Sequence, residues 1–300
     1  MKNKKRIWVA KLSLLFICIF YLFFKSFYVA LPQKKAPIQF YHNDFALLFA
    51  RAIKQAKTVV LTSFGLDQTL KSVLQKKPCT LFLDATQSNT ILNKTSFFLN
   101  QSGFFHPKIL LLDDARVLIG TANLTKNSLF FAANFCVGLY SPHLNAKLKE
   151  ALFTQQALHY QENALDFFYK APDALEFLLQ FLASTKTHLK IAMYTLTHPK
   201  IIECLIALKN RGVFVEIFLD KHPANRPTIE TLKKEKICVH MRTKPGMLHT
   251  KLAIKDHKAL YIGSANWTRR GFSKNHEVLL FLHHLTNSQK DQVFMHFKML

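Results

Sequence analysis

Beyond Pro37 the apolar positions fall into short blocks of two periods, separated by polar or Pro/Gly-bearing turns. Asp44–Lys57 carries the three-and-four spacing of a helix, Thr58–Ser63 and Cys79–Leu83 read as strands, and Asp67–Lys76 is again helical. Two extended runs then flank Asp113-Asp114-Ala115-Arg116, a hairpin signal, followed by a strand over Asn134–Tyr140 and a helix over Pro142–His159. The order recurs. Lys190–Thr195 reads as a strand, Pro199–Arg211 as a helix stopped by Gly212, and Val213–Leu219 as a strand. A helix over Thr228–Lys236, a strand over Ile237–Met241, a hairpin around Asp256-His257-Lys258, a strand over Val278–Leu282 and a helix from Ser288 complete the chain. Alternating helices and strands predict an α/β protein in which helices cover mixed sheets. The polar stretch Gln161–Pro172 predicts the boundary between two halves, 38–160 and 172–300, of one architecture related by a pseudo-twofold axis.

The first 31 residues differ from this pattern. Lys2, Lys4, Lys5 and Arg6 form a basic head, and an uncharged apolar run extends from Leu12 to Phe24 between Lys11 and Lys25. Those residues reach roughly 20 Å as a helix, short of a bilayer's ~30 Å, but Ile7 to Leu31 spans it with both lysines snorkelling. Cleavage after Ala30 would put bulky Tyr28 where a small residue is wanted, so an uncleaved signal-anchor is expected over a cleaved signal peptide. Either keeps the head inside and exports the body, membrane-anchored in the first case, secreted or periplasmic in the second.

Charge narrows the partners. The formal net charge is +23, and residues 36–300 retain 33 basic against 18 acidic side chains. Such an excess attracts polyanions, whether nucleic acid or an anionic membrane. The five cysteines show no C-x-x-C spacing and read as free thiols, and the fourteen histidines, including His283-His284, show no usual ligand spacing. Neither a metal nor an organic cofactor is expected. Asp220–Pro227 reads as a polar loop, and Trp267 as a packed residue beside solvated Arg269 and Arg270.

One string occurs twice, 143 residues apart: His106-Pro107-Lys108 with Asp113, and His249-Thr250-Lys251 with Asp256. Each is closed by the same turn, Gly120-Thr121-Ala122-Asn123 and Gly263-Ser264-Ala265-Asn266, with 17 residues from His to Asn in both. Phe82-Leu83-Asp84 and Phe218-Leu219-Asp220 likewise end corresponding strands. On a strand, residues i and i+2 share a face, so each half offers an imidazole, an ammonium and a carboxamide to one point. Two facing sets suit a phosphodiester. One neutral imidazole attacks phosphorus, a second, protonated, gives its proton to the leaving oxygen, and Lys and Asn donors hold the equatorial oxygens without requiring a metal.

From about Asp44 to Leu300 the chain resembles the phospholipase D superfamily, whose signature is this duplicated H-x-K-x4-D with a following G-S/T-x-N. The resemblance implies two phospholipase D-like halves sharing one active site and a phosphohistidine intermediate. His106 would be the nucleophile, and His249 the general acid and then the base that activates water. Lys108, Lys251, Asn123 and Asn266 carry over as the phosphate-binding set, while Asp113 and Asp256 hold the hairpins. Eleven residues beyond each motif asparagine stand Asn134 and Glu277. The resemblance implies cross-pairing there, with Glu277 orienting His106 and Asn134 orienting His249. A monomeric metal-independent hydrolase releasing head groups from phospholipids is the first expectation. An exported nuclease of the same superfamily is the alternative, a phosphatidyltransferase is weaker, and complete motifs argue against a non-catalytic polyanion-binding protein.

Overall fold

Sequence alternation becomes two sheets whose inner faces meet. The computed structural model describes residues 29–87, 95–99 and 103–300. The first half comprises β1 (Ile38–Tyr41), α1 (Phe45–Gln55), β2 (Val59–Ser63), a 3-10 turn (Gln68–Leu70) running into α2 (Lys71–Leu74), β3 (Cys79–Asp84) and β4 (Thr95–Leu99). The hairpin β5 (Ile109–Leu112) and β6 (Arg116–Gly120) follows, then α3 (Lys126–Phe131), β7 (Cys136–Tyr140) and α4 (Pro142–Thr154). The second half opens with β8 (Leu158–Glu162), β9 (Leu165–Tyr169), α5 (Ala174–Ala183), β10 (His188–Met193), α6 (Pro199–Asn210) and β11 (Phe214–Leu219). A 3-10 turn (Pro223–Asn225) leads into α7 (Arg226–Lys234), β12 (Cys238–Met241), β13 (Lys251–Lys255), β14 (Ala259–Gly263), α8 (Arg269–Ser273), β15 (Val278–Leu282) and α9 (Asn287–Met299).

The strand orders are β1-β7-β6-β5-β2-β3-β4 and β12-β11-β10-β13-β14-β15-β9-β8. Reading β2 as β10, β5 as β13 and β7 as β15 superposes the two orders, with β8 extra in the second. Both sheets are mixed: β2–β3 and β10–β11 run parallel, whereas β2–β5 and β10–β13 run antiparallel. Side-chain parity explains the layering. Ile109, Leu111, Val117 and Ile119 share a core with Leu252, Ile254, Leu260 and Ile262 of the other sheet. The alternate residues Ala253, Tyr261, Leu279 and Phe281 pack instead with Leu178 and Phe181 of α5 and Leu205 of α6. Strands covered on both faces carry continuous apolar runs, hence Ile109-Leu110-Leu111-Leu112.

The expected boundary requires correction. Within 158–169 lie β8 and β9, and β9 pairs antiparallel with β15, so this stretch belongs to the second sheet. Its polar residues belong to an exposed edge strand and to the turn at Asn163 (φ 51°), while Phe167, Phe168 and Tyr169 are fully buried. The helix expected to reach His159 stops at Thr154, because Gln155 adopts a left-handed conformation (φ 57°). The patterning also passed over β1, β4, α3, α5 and α8, and the helix expected over Asp67–Lys76 is split between a 3-10 turn and α2. Among the described residues no helix is long and apolar enough to cross a membrane, and the Leu12–Phe24 run lies outside them. Cys79, Cys136, Cys204 and Cys238 are free thiols.

Candidate active site

Each motif enters its strand by crossing to the other half. The Phe105 segment makes a parallel bridge with His276: His106 N–H donates to the His276 carbonyl at 3.0 Å, and His276 N–H donates to that of Phe104 at 2.9 Å. In the second copy Ala133 bridges Leu248, with His249 N–H donating to the Ala133 carbonyl at 2.9 Å and Ala133 N–H to that of Met247 at 2.8 Å. Each crossing places a motif histidine beside the residue that follows the bridge partner in the opposite half. Those residues are Glu277 and Asn134.

The two contacts differ in strength. His106 Nδ1 lies 2.8 and 2.9 Å from the two carboxylate oxygens of Glu277. His249 Nδ1 lies 3.3 Å from Asn134 Oδ1. With Nδ1 donating backwards in each case, Nε2 is the nitrogen left for chemistry. The orienting groups are themselves held. Ser264 Oγ and Asn275 Nδ2 donate to Glu277, and Thr121 Oγ1 donates to Asn134 Oδ1 at 2.9 Å. Asn134 Nδ2 donates to the Ser128 carbonyl at 2.8 Å. Ser264 and Thr121 are the second residues of the two Gly-x-Ala-Asn turns, so the hydroxyl required there has a structural use.

Both lysines are buried, Lys251 completely, and each donates to the carbonyl of its own motif histidine: Lys108 to His106 at 3.0 Å and Lys251 to His249 at 2.9 Å. Burial lowers Lys108 to about 7, with the Glu277 carboxylate opposing that shift. Lys251 is held well below its ordinary range by burial and then by the Lys108 charge. Burial likewise lowers His106 to about 4 against the pull of Glu277, and holds His249 well below its ordinary range, aided by Lys251 and Lys108. Glu277 stays below the usual carboxylate range: burial opposes ionisation, but the His106 and Lys108 charges and hydrogen bonds from His106 and Ser264 outweigh it. Two lysines and two imidazoles thus crowd one centre, where burial and mutual repulsion disfavour their charged forms and a further anion would favour them.

The remaining motif residues fall into two places. Asn123 and Asn266, half-buried at equivalent turns, each keep a side-chain oxygen buried without a hydrogen-bond partner. Asp113 Oδ1 accepts the N–H groups of Lys57 at 2.7 Å and Thr58 at 3.2 Å, and Asp256 Oδ1 accepts that of Thr187 at 2.7 Å, so both tie their hairpins to the start of β2 or β10.

The structure adds residues the patterning did not assign. Asp84 Oδ2 accepts the Phe105 N–H at 2.8 Å and Asp220 Oδ2 accepts that of Leu248 at 2.7 Å, in each case the residue before the motif histidine. The repeated Phe-Leu-Asp was their signal in the sequence. Phe64 and Tyr194, each directly after β2 or β10, set their rings 5.1 and 5.2 Å from the imidazoles of His106 and His249. Asn225, fully buried in the Asp220–Pro227 loop, donates to the carbonyls of Tyr194 and Asp220, which makes this loop a brace for the site. Trp267 is buried, and the Arg270 guanidinium lies 4.0 Å over the Phe104 ring. His283 is bound to Asp166, away from the motifs.

Residues 178–298 match a family model described as cardiolipin synthase, PLD-like domain. A mitochondrial cardiolipin hydrolase from Chlamydomonas reinhardtii is 32% identical over 113 residues, covering 37% of this chain and 51% of that protein. A phospholipase D from Rickettsia typhi is 28% identical over 140 residues, 44% of this chain and 69% of that protein. The chain thus spans only about half the length of the first of these relatives. Among solved structures, a phosphatidylserine synthase from Haemophilus influenzae shares the fold, with a TM-score of 0.65 at 12% identity, covering 89% of this chain and 86% of that one.

Proposed function

The chain belongs to the phospholipase D superfamily, and on that premise we propose that it is a phosphodiesterase that works through a phosphohistidine and releases head groups from phospholipids. The observation that carries the reaction type is the pair of buried His–Lys sets facing one centre, each histidine backed at Nδ1 from the opposite half. In this reading His106 Nε2 attacks phosphorus and forms the P–N bond as the P–O bond to the leaving group breaks. His249, protonated at Nε2, gives its proton to the departing oxygen. It then takes a proton from water, whose oxygen attacks phosphorus and breaks the P–N bond, restoring His106.

His249 is neutral in the substrate-free protein, because burial and two lysine charges disfavour its proton. An incoming phosphodiester anion offsets those charges and raises its affinity for the proton, so the acid is armed by the substrate. Glu277 stabilises the positive charge that His106 acquires on attack, and Asn134, being neutral, gives His249 no such permanent bias. This asymmetry favours His106 as nucleophile.

For the substrate, support comes from the relatives named as cardiolipin hydrolase and phospholipase D and from the family model named for cardiolipin synthase. The N-terminal basic head and apolar run would hold the catalytic body at a membrane, outside the cytoplasm. The basic excess of the body favours a nucleic-acid substrate equally, so the test includes one. Full-length protein in EDTA is assayed against cardiolipin and phosphatidylglycerol vesicles and against plasmid DNA. Head-group release supports the lipid reading; DNA cleavage without it overturns that reading. His106→Ala and His249→Ala each abolish turnover while substrate binding survives, and measurable turnover in either sinks the two-histidine scheme.

A further inference from the structure

At the far edge of the second sheet, away from the motifs, three metal-ligating side chains converge. Strands β11 and β12 run parallel with Glu216 opposite Cys238 and Phe218 opposite His240. The two-residue pleat therefore puts Glu216, Cys238 and His240 on one face of two hydrogen-bonded strands. Their donor atoms lie within 4.8 Å of one another. Cys238 Sγ is 3.2 Å from His240 Nε2, which is 3.0 Å from Glu216 Oε1. A ring nitrogen has one proton or one lone pair, so His240 Nε2 fully completes only one of these contacts at a time. A single ion at the centre satisfies all three donors at once.

We propose that Glu216, Cys238 and His240 bind a divalent transition-metal ion, zinc above others, in a site separate from the catalytic centre. With bonds of about 2.3 Å to sulfur and ~2.0 Å to nitrogen and oxygen, tetrahedral zinc sets its S–N and N–O edges at roughly 3.5 and 3.3 Å. The observed 3.2 and 3.0 Å need to open by only a few tenths of an ångström. Binding displaces the Cys238 thiol proton to solvent, His240 coordinates as neutral imidazole, and the thiolate and carboxylate together neutralise the ion. Water completes the fourth position. A thiolate and an imidazole select zinc over magnesium or calcium, which prefer all-oxygen sites.

The surroundings already orient the ligands. Lys190 Nζ holds the other oxygen of Glu216, Oε2, at 2.9 Å, leaving Oε1 aimed at His240. The His240 ring stacks on Phe218 with centroids 4.7 Å apart, and Lys190 lies over the same phenyl ring. Such outer contacts fix ligand geometry in metal sites generally. The ion would clip β12, an edge strand, to β11.

The test uses tag-free full-length protein equilibrated with zinc, desalted and analysed by mass spectrometry for metal. About one zinc per chain is expected, with Cys238→Ser and His240→Ala at background and affinity reduced by about 100-fold or more. Cys204→Ser and His106→Ala, which remove a thiol and an imidazole elsewhere, keep the metal. Cobalt substitution supplies a reading on the wild-type chain alone: thiolate-to-cobalt charge transfer with tetrahedral visible bands, and protection of Cys238 from alkylation. Wild-type protein at background in both readings overturns the proposal. So does a Cys238→Ser variant that retains the zinc and the charge-transfer band.

Discussion

Replacing Glu277 by Gln keeps the shape of the site and removes one charge, which makes it the sharpest probe of how His106 works. The carboxylate lies 2.8 Å from His106 Nδ1 and is only 4% exposed. In the proposed mechanism the His106 ring becomes cationic as it attacks phosphorus, with the two charge centres about 4 Å apart, and at an effective dielectric near 20 their attraction is worth about 4 kcal/mol. A Gln amide oxygen can still accept the Nδ1–H, retaining about 1 kcal/mol. The net loss of about 3 kcal/mol, felt in the transition state and not with neutral His106, lowers kcat by about 10²–10³-fold. Substrate binding should respond in the opposite sense, because the substitution removes a negative charge from an anion site, so KM stays level or falls. Single-turnover kinetics on a soluble aryl phosphodiester separate the two effects. A kcat within about threefold of wild type, or a loss confined to KM, would refute the assignment of Glu277 as the group that stabilises charge on His106.

Four further outcomes follow from the same geometry. Asp84→Ala strands the buried Phe105 N–H at a cost of about 1–3 kcal/mol and lets His106 drift, so chemical denaturation and kcat both report a loss; Asp220→Ala does the same to Leu248 and His249. Asp113→Ala and Asp256→Ala free the hairpin ties and lower the urea midpoint, while folded enzyme retains kcat within about threefold, since neither carboxylate serves the centre. His106 and His296 are held at about 4 and about 3 against an ordinary 6.5, because burial disfavours their charged forms. The unfolded chain gains those protons as pH falls through 6.5 and the folded one does not, so each histidine contributes stability in full above that pH and loses about 1.4 kcal/mol per unit on the way down. Urea melts at a series of pH values between 7 and 4 check this, and a flat profile refutes it. Gly246→Ala fails to accumulate as folded protein, since φ is +82° and an added Cβ would meet the Phe131 carbonyl oxygen, which reads directly in expression and circular dichroism.

The duplicated motifs made His106, Lys108, His249 and Lys251 legible in the sequence, because the extended backbone leading into β5 and β13 has a two-residue period that puts i and i+2 on one side whatever surrounds them. The hairpin role of Asp113 and Asp256 came from the family resemblance, whereas their partners, the backbone N–H groups before β2 and β10, lie 55 or more residues away along the chain. The turn signals also located the β5–β6 and β13–β14 hairpins, and the helix read from Pro142 begins there as α4, with the Ser141 side chain accepting the Leu144 N–H. The boundary between halves was misread because an exposed edge strand such as β8 carries the same polar residues as a linker, and only its pairing with β9 tells them apart. Helix α5 went unseen because its run, Ala174-Leu175-Glu176-Phe177-Leu178-Leu179, is apolar on nearly every side.

Tertiary structure alone decided what lies behind and beside the motif histidines and lysines. Glu277 stands 171 residues from His106 and Asn134 stands 115 from His249, and the bridging backbones of the two halves bring each pair together. Asp84 and Asp220 appeared in the sequence only as a repeated strand ending; their use depends on a loop returning past the strand end with an unpaired N–H. Burial of two lysines against one another likewise has no signature along the chain, since it arises from the packing of two sheets. The sequence by itself specified the groups proposed to react, because their spacing is local. Their protonation, orientation and distinct roles belong to the fold, because those depend on which charges and dipoles the packing sets within a few ångströms.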